Sequence, residues 1–395
     1  MRTVAVVGGS LAGLSAARAL REQEFDGRVV VVGAEDRLPY DRPPLSKDFL
    51  AGKVGVDDLA LTTDDDADLD LDWRLGDPAA GLDRGRGAVV LASGQEIAAD
   101  GVVLATGARA RSLPGAQLGG VHTLRTVEDA LALRRDLTPG SRLVVIGGGF
   151  IGGEVASTAR ELGVEVTMIE SNPIPLGRVL GAEIASACAG LHGDNGVRLI
   201  AGTVVTGLVG DARVREVHLA DGRVESADAV VVGIGALPNV EWLAGSGVDH
   251  DHRGVWTDAR GATNVPQVVA AGDCTFSHCA FAGTALRQEH WTHALQQPAA
   301  AVTTLLGRTT VDAARPPAPY FWSDQYGARL QFAGHRLPGD AVEVVEGDLE
   351  SRRFVAGYRR DGELVAVFAM NQPKLFGKWR RQLVPRHATT VAELT

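Results

Sequence analysis

Two stretches of this 395-residue chain, Gly8-Gly9-Ser10-Leu11-Ala12-Gly13 and Gly147-Gly148-Gly149-Phe150-Ile151-Gly152, have the residue types and spacing to hold a dinucleotide. Such a ligand needs a tight turn, a backbone that approaches the pyrophosphate with no side chain in the way, and a helix N-terminus aimed at the negative charge. Gly8 and Gly13 meet the first and last demands, with Ser10 in place of the middle glycine. Gly147, Gly149 and Gly152 meet all three. One apolar run later each turn is followed by an acid, Glu35 and Glu170. A carboxylate at that point accepts hydrogen bonds from ribose hydroxyls and repels a 2′-phosphate. The second turn is therefore expected to prefer NADH to NADPH, with Arg178 near enough to soften the preference. Either turn alone also fits an ordinary strand-to-helix connection with an incidental acid. The surrounding order of strand, turn, helix, strand and acid is what favours a nucleotide.

A third signal is Gly272-Asp273, directly after the apolar run 268–271. An acid at the C-terminal end of a buried strand can hold sugar hydroxyls in the crevice of an α/β sheet. Combined with the first turn and with Ala105-Thr106-Gly107 ending another apolar run, it implies a flavin dinucleotide.

The elements that must position these residues follow from pattern. Strand 3–7, helix 14–23 and strand 28–32 make one βαβ unit; strand 142–146, helix 153–162 and strand 165–169 make a second. Their short apolar strands suit parallel sheets buried on both faces. Strands 100–106, 227–235 and 268–271 and a helix over 289–306 complete the region. Arg315-Pro316-Pro317-Ala318-Pro319 is a stiff linker, and beyond it strands 329–333, 341–346, 354–360 and 363–370 follow, the last two joined by a turn at Asp361-Gly362. The expected fold is α/β: two Rossmann-like dinucleotide-binding domains, a discontinuous one over 1–108 and 236–312 and one over 109–235, and a small C-terminal α+β domain over 313–395.

Composition narrows the function. A net charge of −10 argues against non-specific nucleic-acid binding, and no apolar run approaches a membrane span. Three cysteines, Cys188, Cys274 and Cys279, cannot build a disulfide framework, which suits a reducing cytoplasm. Residues 4–7 read directly as a buried strand, so no cleaved leader is expected. Cys274 and Cys279 beside His278 have the spacing of a redox pair or a metal site, but their position after Asp273 favours a structural role, and no metal is expected.

With Leu38-Pro39-Tyr40-Asp41-Arg42-Pro43-Pro44-Leu45-Ser46-Lys47, the second turn through Glu154, and Glu289-His290-Trp291-Thr292-His293-Ala294 added, the chain resembles the FAD-dependent pyridine nucleotide–disulfide oxidoreductase superfamily. Within it, the chain looks most like the ferredoxin reductases of oxygenase systems, of the putidaredoxin, rhodocoxin and biphenyl dioxygenase reductase type, over essentially its whole length. The resemblance implies FAD contacts at Gly8, Ala12, Gly13, Glu35, Arg42, Lys47, Ala79, Arg125, Asp273, Glu289 and Trp291, with the indole against the isoalloxazine. It implies NADH contacts at Gly147, Gly149, Ile151, Gly152, Glu154, Glu170, Arg178 and Gly235. It also implies a Lys47–Glu154 ion pair near flavin N5, Lys47 stabilising charge on the ring and Glu154 placing the lysine. Lys47 could instead bind phosphate and Glu154 merely cap its helix. Residues 40–50 contain no cysteine, so the thiol exchange of the disulfide reductases cannot occur there. Trp322-Ser323-Asp324-Gln325 is expected to reach back toward the flavin or to anchor the small domain.

The activity this implies is NADH-dependent reduction of a [2Fe–2S] ferredoxin that serves a P450 or a ring-hydroxylating dioxygenase. Hydride arrives as two electrons, and these leave one at a time. Residues 315–386 carry twelve Lys and Arg against eight Asp and Glu, a net +4 on an acidic chain. Lys374, Lys378, Arg380, Arg381 and Arg386 have no acid among them, and such a patch can steer an acidic ferredoxin or simply be solvated. A rubredoxin reductase, and an NADH sensor resembling apoptosis-inducing factor, are the alternatives. Monomer and homodimer are both open.

Overall fold

The computed structural model describes residues 1–308 and 316–385; Arg315 of the linker, the boundary at 313 and Arg386 lie outside them. Valine-rich Thr3–Val7 pairs in parallel with Arg28–Val32 on one side and Gly101–Leu104 on the other. Leu71–Arg74 and Val268–Ala270 extend this sheet at its two edges, again in parallel. Alternate residues face opposite layers, as a strand's two-residue period requires. Val4, Val6, Val29 and Val31 pack on the helices Leu11–Glu22 and Trp291–Leu305. Ala5, Val7, Val30 and Val32 face Leu82, Val89, Val255 and Val265.

The second parallel sheet runs Arg198–Ala201, Glu165–Glu170, Arg142–Ile146, Ala229–Val232 and Val121–His122. Helix Phe150–Glu161 covers one face through Val155, Ala156 and Ala159. The same core takes in Tyr40, Leu45, Phe49 and Leu50 from the segment after the first βαβ unit. That packing carries residues 40–50 onto the helix of the second glycine turn. Where the chain crosses between the two sheets, Ala108–Ala110 and Ala236–Pro238 pair antiparallel.

The C-terminal sheet is antiparallel, ordered Tyr320–Gln325, Ala328–Gly334, Glu363–Met370, Arg353–Arg360 and Ala341–Asp348. Helix Ala182–Asp194 packs on one face and helix Pro373–Arg380 on the other. Asp361 (φ 54°) and Gly362 (φ 83°) both lie in the left-handed region, as a two-residue hairpin of this hand demands.

Several boundaries differ from the sequence expectation. The two glycine-turn helices start at Leu11 and Phe150, three residues earlier than expected. Ser10 and Gly149 are extended and cap them, so the last residues of each turn already form the first helical turn. This explains the final glycines. A Cβ built on Gly13 would lie 1.8 Å from the Gly8 carbonyl oxygen, and one on Gly152 2.1 Å from that of Gly147. Strands expected over 100–106 and 227–235 are shorter, Gly101–Leu104 and Ala229–Val232, because their glycine-rich ends turn away into the site. The strand Tyr320–Gln325 was not expected as a strand. Among the described residues no helix is long and apolar enough to cross a membrane.

Candidate active site

The first glycine turn meets two other strand ends. Ala12, Ala105 and Ala294 form a small buried cluster with Leu11. A Cβ on Gly272 (φ 78°) would lie 2.9 Å from the Ala12 Cβ, so Gly272-Asp273 lies directly against the turn. Around it runs a chain of charge. Arg42 donates to Glu35 Oε1 at 2.6 Å and to the Arg125 carbonyl at 2.5 Å; Arg125 in turn pairs with Asp273 at 2.6 Å. Tyr40 donates its hydroxyl to Glu35 and accepts the Val127 N–H at 3.2 Å. Arg42 Nε also reaches Ser10 Oγ at 3.4 Å, which ties the one non-glycine side chain of the turn to the guanidinium. Gly8, Ala12, Gly13, Glu35, Arg42, Arg125 and Asp273 are thereby brought together. Glu289 pairs with Arg287 at 2.5 Å. Ala79 opens the strand Ala79–Asp83 and packs on the core that includes Leu82 and Val89, on the opposite layer of the first sheet from the late helix.

These residues fit a flavin dinucleotide. Among the described residues His290 Nδ1 and His293 Nε2, at the start of the late helix, have no hydrogen-bond partner, and burial lowers the pKa of each ring to about 4. A polar ligand satisfies such atoms, whereas an apolar filling would leave them costly.

In the second turn Gly147 (φ 106°) packs on the Gly233 carbonyl, where an added Cβ would sit 2.3 Å away. Gly149 and Gly235 instead face open space, with no atom within 4 Å of a built Cβ. Ile151 projects 48% exposed beside them. An open backbone next to a bare apolar side chain is what a nucleotide would cover. Glu170 is the last residue of its strand, not the loop acid expected after it, and is 8% exposed. Its carboxylate accepts the N–H groups of Gly148 at 2.8 Å and Asn172 at 2.7 Å, the Asn172 side chain at 2.6 Å and the Ser171 hydroxyl at 3.2 Å. Burial pushes its pKa up, but these donors outweigh burial and hold it below the usual carboxylate range. Glu170 therefore stitches the turn together as well as presenting charge. Arg178 is exposed on the short helix Gly177–Leu180, and among the described residues no hydrogen bond or ion pair joins it to Glu170.

Between the two turns Lys47 Nζ lies 2.8 Å from Glu154 Oε2. Glu154 is 5% exposed on the helix of the second turn, and Lys47 follows the 3₁₀ turn Pro43–Ser46. Ser46 donates to Oε2 at 2.5 Å and Ser323 to Oε1 at 2.7 Å. Trp291 Nε1 donates to Asp41 Oδ1 at 2.8 Å; burial raises the Asp41 pKa, partly offset by this bond and by Lys47. The Trp291 ring meets Trp322 edge-on at 6.1 Å, Trp322 stacks on Tyr320 at 5.9 Å, and Arg380 lies over the Tyr320 ring.

Three features escaped the sequence. Ser46 and Ser323 meet Glu154 only through tertiary packing, and Asp41 meets Trp291 across 250 residues. The resemblance marks both segments, 38–47 and 322–325, and expects the second to reach back toward the flavin, but it does not specify these contacts. The basic cluster is also less bare than the sequence suggests, because the fold brings Glu346 to 3.1 Å from Lys378. The Cys274 thiol is sealed in the core and donates to the Leu104 and Ala271 carbonyls.

Residues 2–298 match the family described as pyridine nucleotide-disulphide oxidoreductase, and residues 320–395 match a reductase C-terminal domain. The ferredoxin reductase component of chlorobenzene dioxygenase from Cupriavidus sp. (strain PS12) is 39% identical, the match covering 99% of this chain and 94% of that one. Putidaredoxin reductase from Pseudomonas putida is 34% identical, covering 97% and 92%. A crystal structure of the covalent putidaredoxin reductase–putidaredoxin complex superposes with a TM-score of 0.91 at 34% identity, covering 96% of this chain and 92% of that one. On the family match over three quarters of its length, the chain belongs to the pyridine nucleotide-disulphide oxidoreductase family.

Proposed function

We propose that this protein is an NADH-dependent ferredoxin reductase with bound FAD, which passes electrons to a [2Fe–2S] ferredoxin serving an oxygenase. The observation that carries the reading is the Lys47–Glu154 bridge. It joins the segment that follows the first dinucleotide turn to the helix that opens at the second. The names of the relatives, ferredoxin reductase components of dioxygenases and putidaredoxin reductase, support the same acceptor class.

Gly8, Ala12 and Gly13 bring backbone to the FAD pyrophosphate, Glu35 takes the adenosine ribose, Arg42 and Arg125 offset phosphate charge, and Asp273 holds the ribityl chain. Ala79 and Glu289 complete the FAD contacts, and Trp291 lies against the ring system. Gly147, Gly149, Ile151, Gly152, Glu170, Arg178 and Gly235 bind NADH. Bound FAD supplies hydride acceptance at N5 and release of electrons one at a time. Lys47 supplies positive charge beside that centre, and Glu154 holds the lysine in place. Helix Pro373–Arg380, with Lys374, Lys378 and Arg380, and the adjacent Arg381 offer basic docking charge for an acidic ferredoxin. Buried free cysteines suit a cytoplasmic location.

Acceptor preference tests the reading. With NADH as donor, kcat/KM for a [2Fe–2S] ferredoxin should exceed that for rubredoxin by at least about tenfold, a gap of about 1.4 kcal/mol. Preference for rubredoxin would make the protein a rubredoxin reductase. A long-lived complex with NAD and no turnover on either would make it a sensor.

A further inference from the structure

Strand Tyr320–Gln325 uses its two faces for different purposes. Tyr320, Trp322 and Asp324 share one face: Tyr320 and Trp322 stack, and Arg329 pairs with Asp324 at 3.0 Å. Phe321, Ser323 and Gln325 share the other and run along the helix of the second glycine turn. Phe321 meets Phe150 at 4.7 Å, Ser323 meets Glu154, and the following Tyr326 N–H donates to Ser157 Oγ at 2.6 Å. Ser323 is 0% exposed, and buried Gln325 donates from Nε2 to its hydroxyl at 3.0 Å. The Gln325 amide lies close against Gly153, where a Cβ would sit 2.5 Å from its Oε1. Two buried polar side chains on a sheet face cost free energy unless each is hydrogen-bonded. Here their bonds form one line: Gln325 donates to Ser323, and Ser323 donates to Glu154.

We propose that Ser323 and Gln325 are positioning residues for the Lys47–Glu154 pair, so that the C-terminal sheet holds the Glu154 carboxylate in place and aimed at Lys47. The proposal rests on the reading that this pair serves bound flavin. Glu154 takes three donors from two separate parts of the chain, Ser46 and Lys47 on Oε2 and, among the described residues, Ser323 on Oε1. Removing the Ser323 hydroxyl leaves Oε1 without that donor and frees the carboxylate to turn away from Lys47. The other charged and titratable groups nearby are Lys47 on the carboxylate, Asp41 beside Lys47 and bonded to Trp291, and His290, whose ring meets Phe321. The Asp324–Arg329 pair belongs to the strand's opposite face.

The test compares FAD-loaded wild type, Ser323→Ala, Gln325→Leu and Glu154→Gln. Two quantities are followed at pH 7: the rate of flavin reduction by NADH and the flavin midpoint potential. Ser323→Ala should slow reduction about tenfold with the apparent affinity for NADH unchanged, and lower the midpoint potential, because a misplaced Lys47 no longer stabilises charge on the reduced ring. Gln325→Leu should give about a threefold slowing and a smaller shift in the same direction. Glu154→Gln should change both quantities at least as much as Ser323→Ala. Unchanged rates and potentials in Ser323→Ala and Gln325→Leu beside altered ones in Glu154→Gln overturn the positioning role alone. Unaltered values in all three overturn it together with the reading it rests on.

Discussion

Replacing Glu170 separates two roles that the structure assigns to one carboxylate. Its charge faces the site of the second glycine turn, and its oxygens hold that turn together through the N–H groups of Gly148 and Asn172. In Glu170→Ala both N–H groups lose their acceptor, at a cost of about 1–3 kcal/mol for each one left unsatisfied. That loss weakens NADH and NADPH alike. The charge acts on NADPH alone: at roughly 5 Å and an effective dielectric of about 20, two unit charges repel by about 3 kcal/mol. Glu170→Ala should therefore raise KM for NADH about tenfold or more while narrowing the NADH/NADPH ratio of kcat/KM about a hundredfold. Glu170→Gln keeps one carbonyl acceptor, so it should narrow the ratio with a smaller loss of NADH affinity. Initial rates of ferricyanide reduction with each nucleotide give the ratio directly. If it is unchanged in both variants, the charge of Glu170 has no part in nucleotide choice.

Further outcomes follow from other contacts. Lys47→Met strands the Glu154 carboxylate with two hydroxyl donors and no cation, and should slow NADH-driven flavin reduction at least tenfold, equivalent to about 1.4 kcal/mol; stopped-flow bleaching measures it, and an unchanged rate removes Lys47 from the mechanism. Charge reversal at Arg380 and Arg381 should slow ferredoxin reduction several-fold, more at low salt, and leave ferricyanide reduction alone; equal rates on ferredoxin would move the docking face elsewhere. His192 is 3% exposed, and burial lowers its pKa to about 4. The unfolded chain takes up that proton near pH 6.5. Stability should therefore be steady above 6.5 and fall toward pH 4, by up to about 1.4 kcal/mol per pH unit for this group, with His290 and His293 acting in the same sense. Denaturant midpoints for wild type and His192→Gln should converge as pH falls through this window, and parallel curves would contradict the assignment.

The turns were legible because the backbone itself sets their residue types. Gly13 and Gly152 are required by a carbonyl less than about two van der Waals radii away, whatever surrounds them. The helix starts were misplaced for the same reason, since residues read as turn already carry helical hydrogen bonds. Strand Tyr320–Gln325 was missed because one face stacks aromatic rings while the other mixes Phe321 with Ser323 and Gln325, so no apolar–polar alternation appears. The Ser323 contact with Glu154 spans 169 residues and joins elements that share no local pattern. Glu170 shows the limit of a motif: its position was readable, but three of its four internal donors depend on how residues 171 and 172 fold back.

The central claim is tested most directly by an anaerobic titration of the purified protein with NADH, followed by a [2Fe–2S] ferredoxin. The account predicts that about one NADH per flavin bleaches its visible band, because hydride carries two electrons, and that about two ferredoxins per flavin then restore it, because each takes one. A flavin band that NADH does not bleach, or a bleached one that no ferredoxin restores, would contradict it.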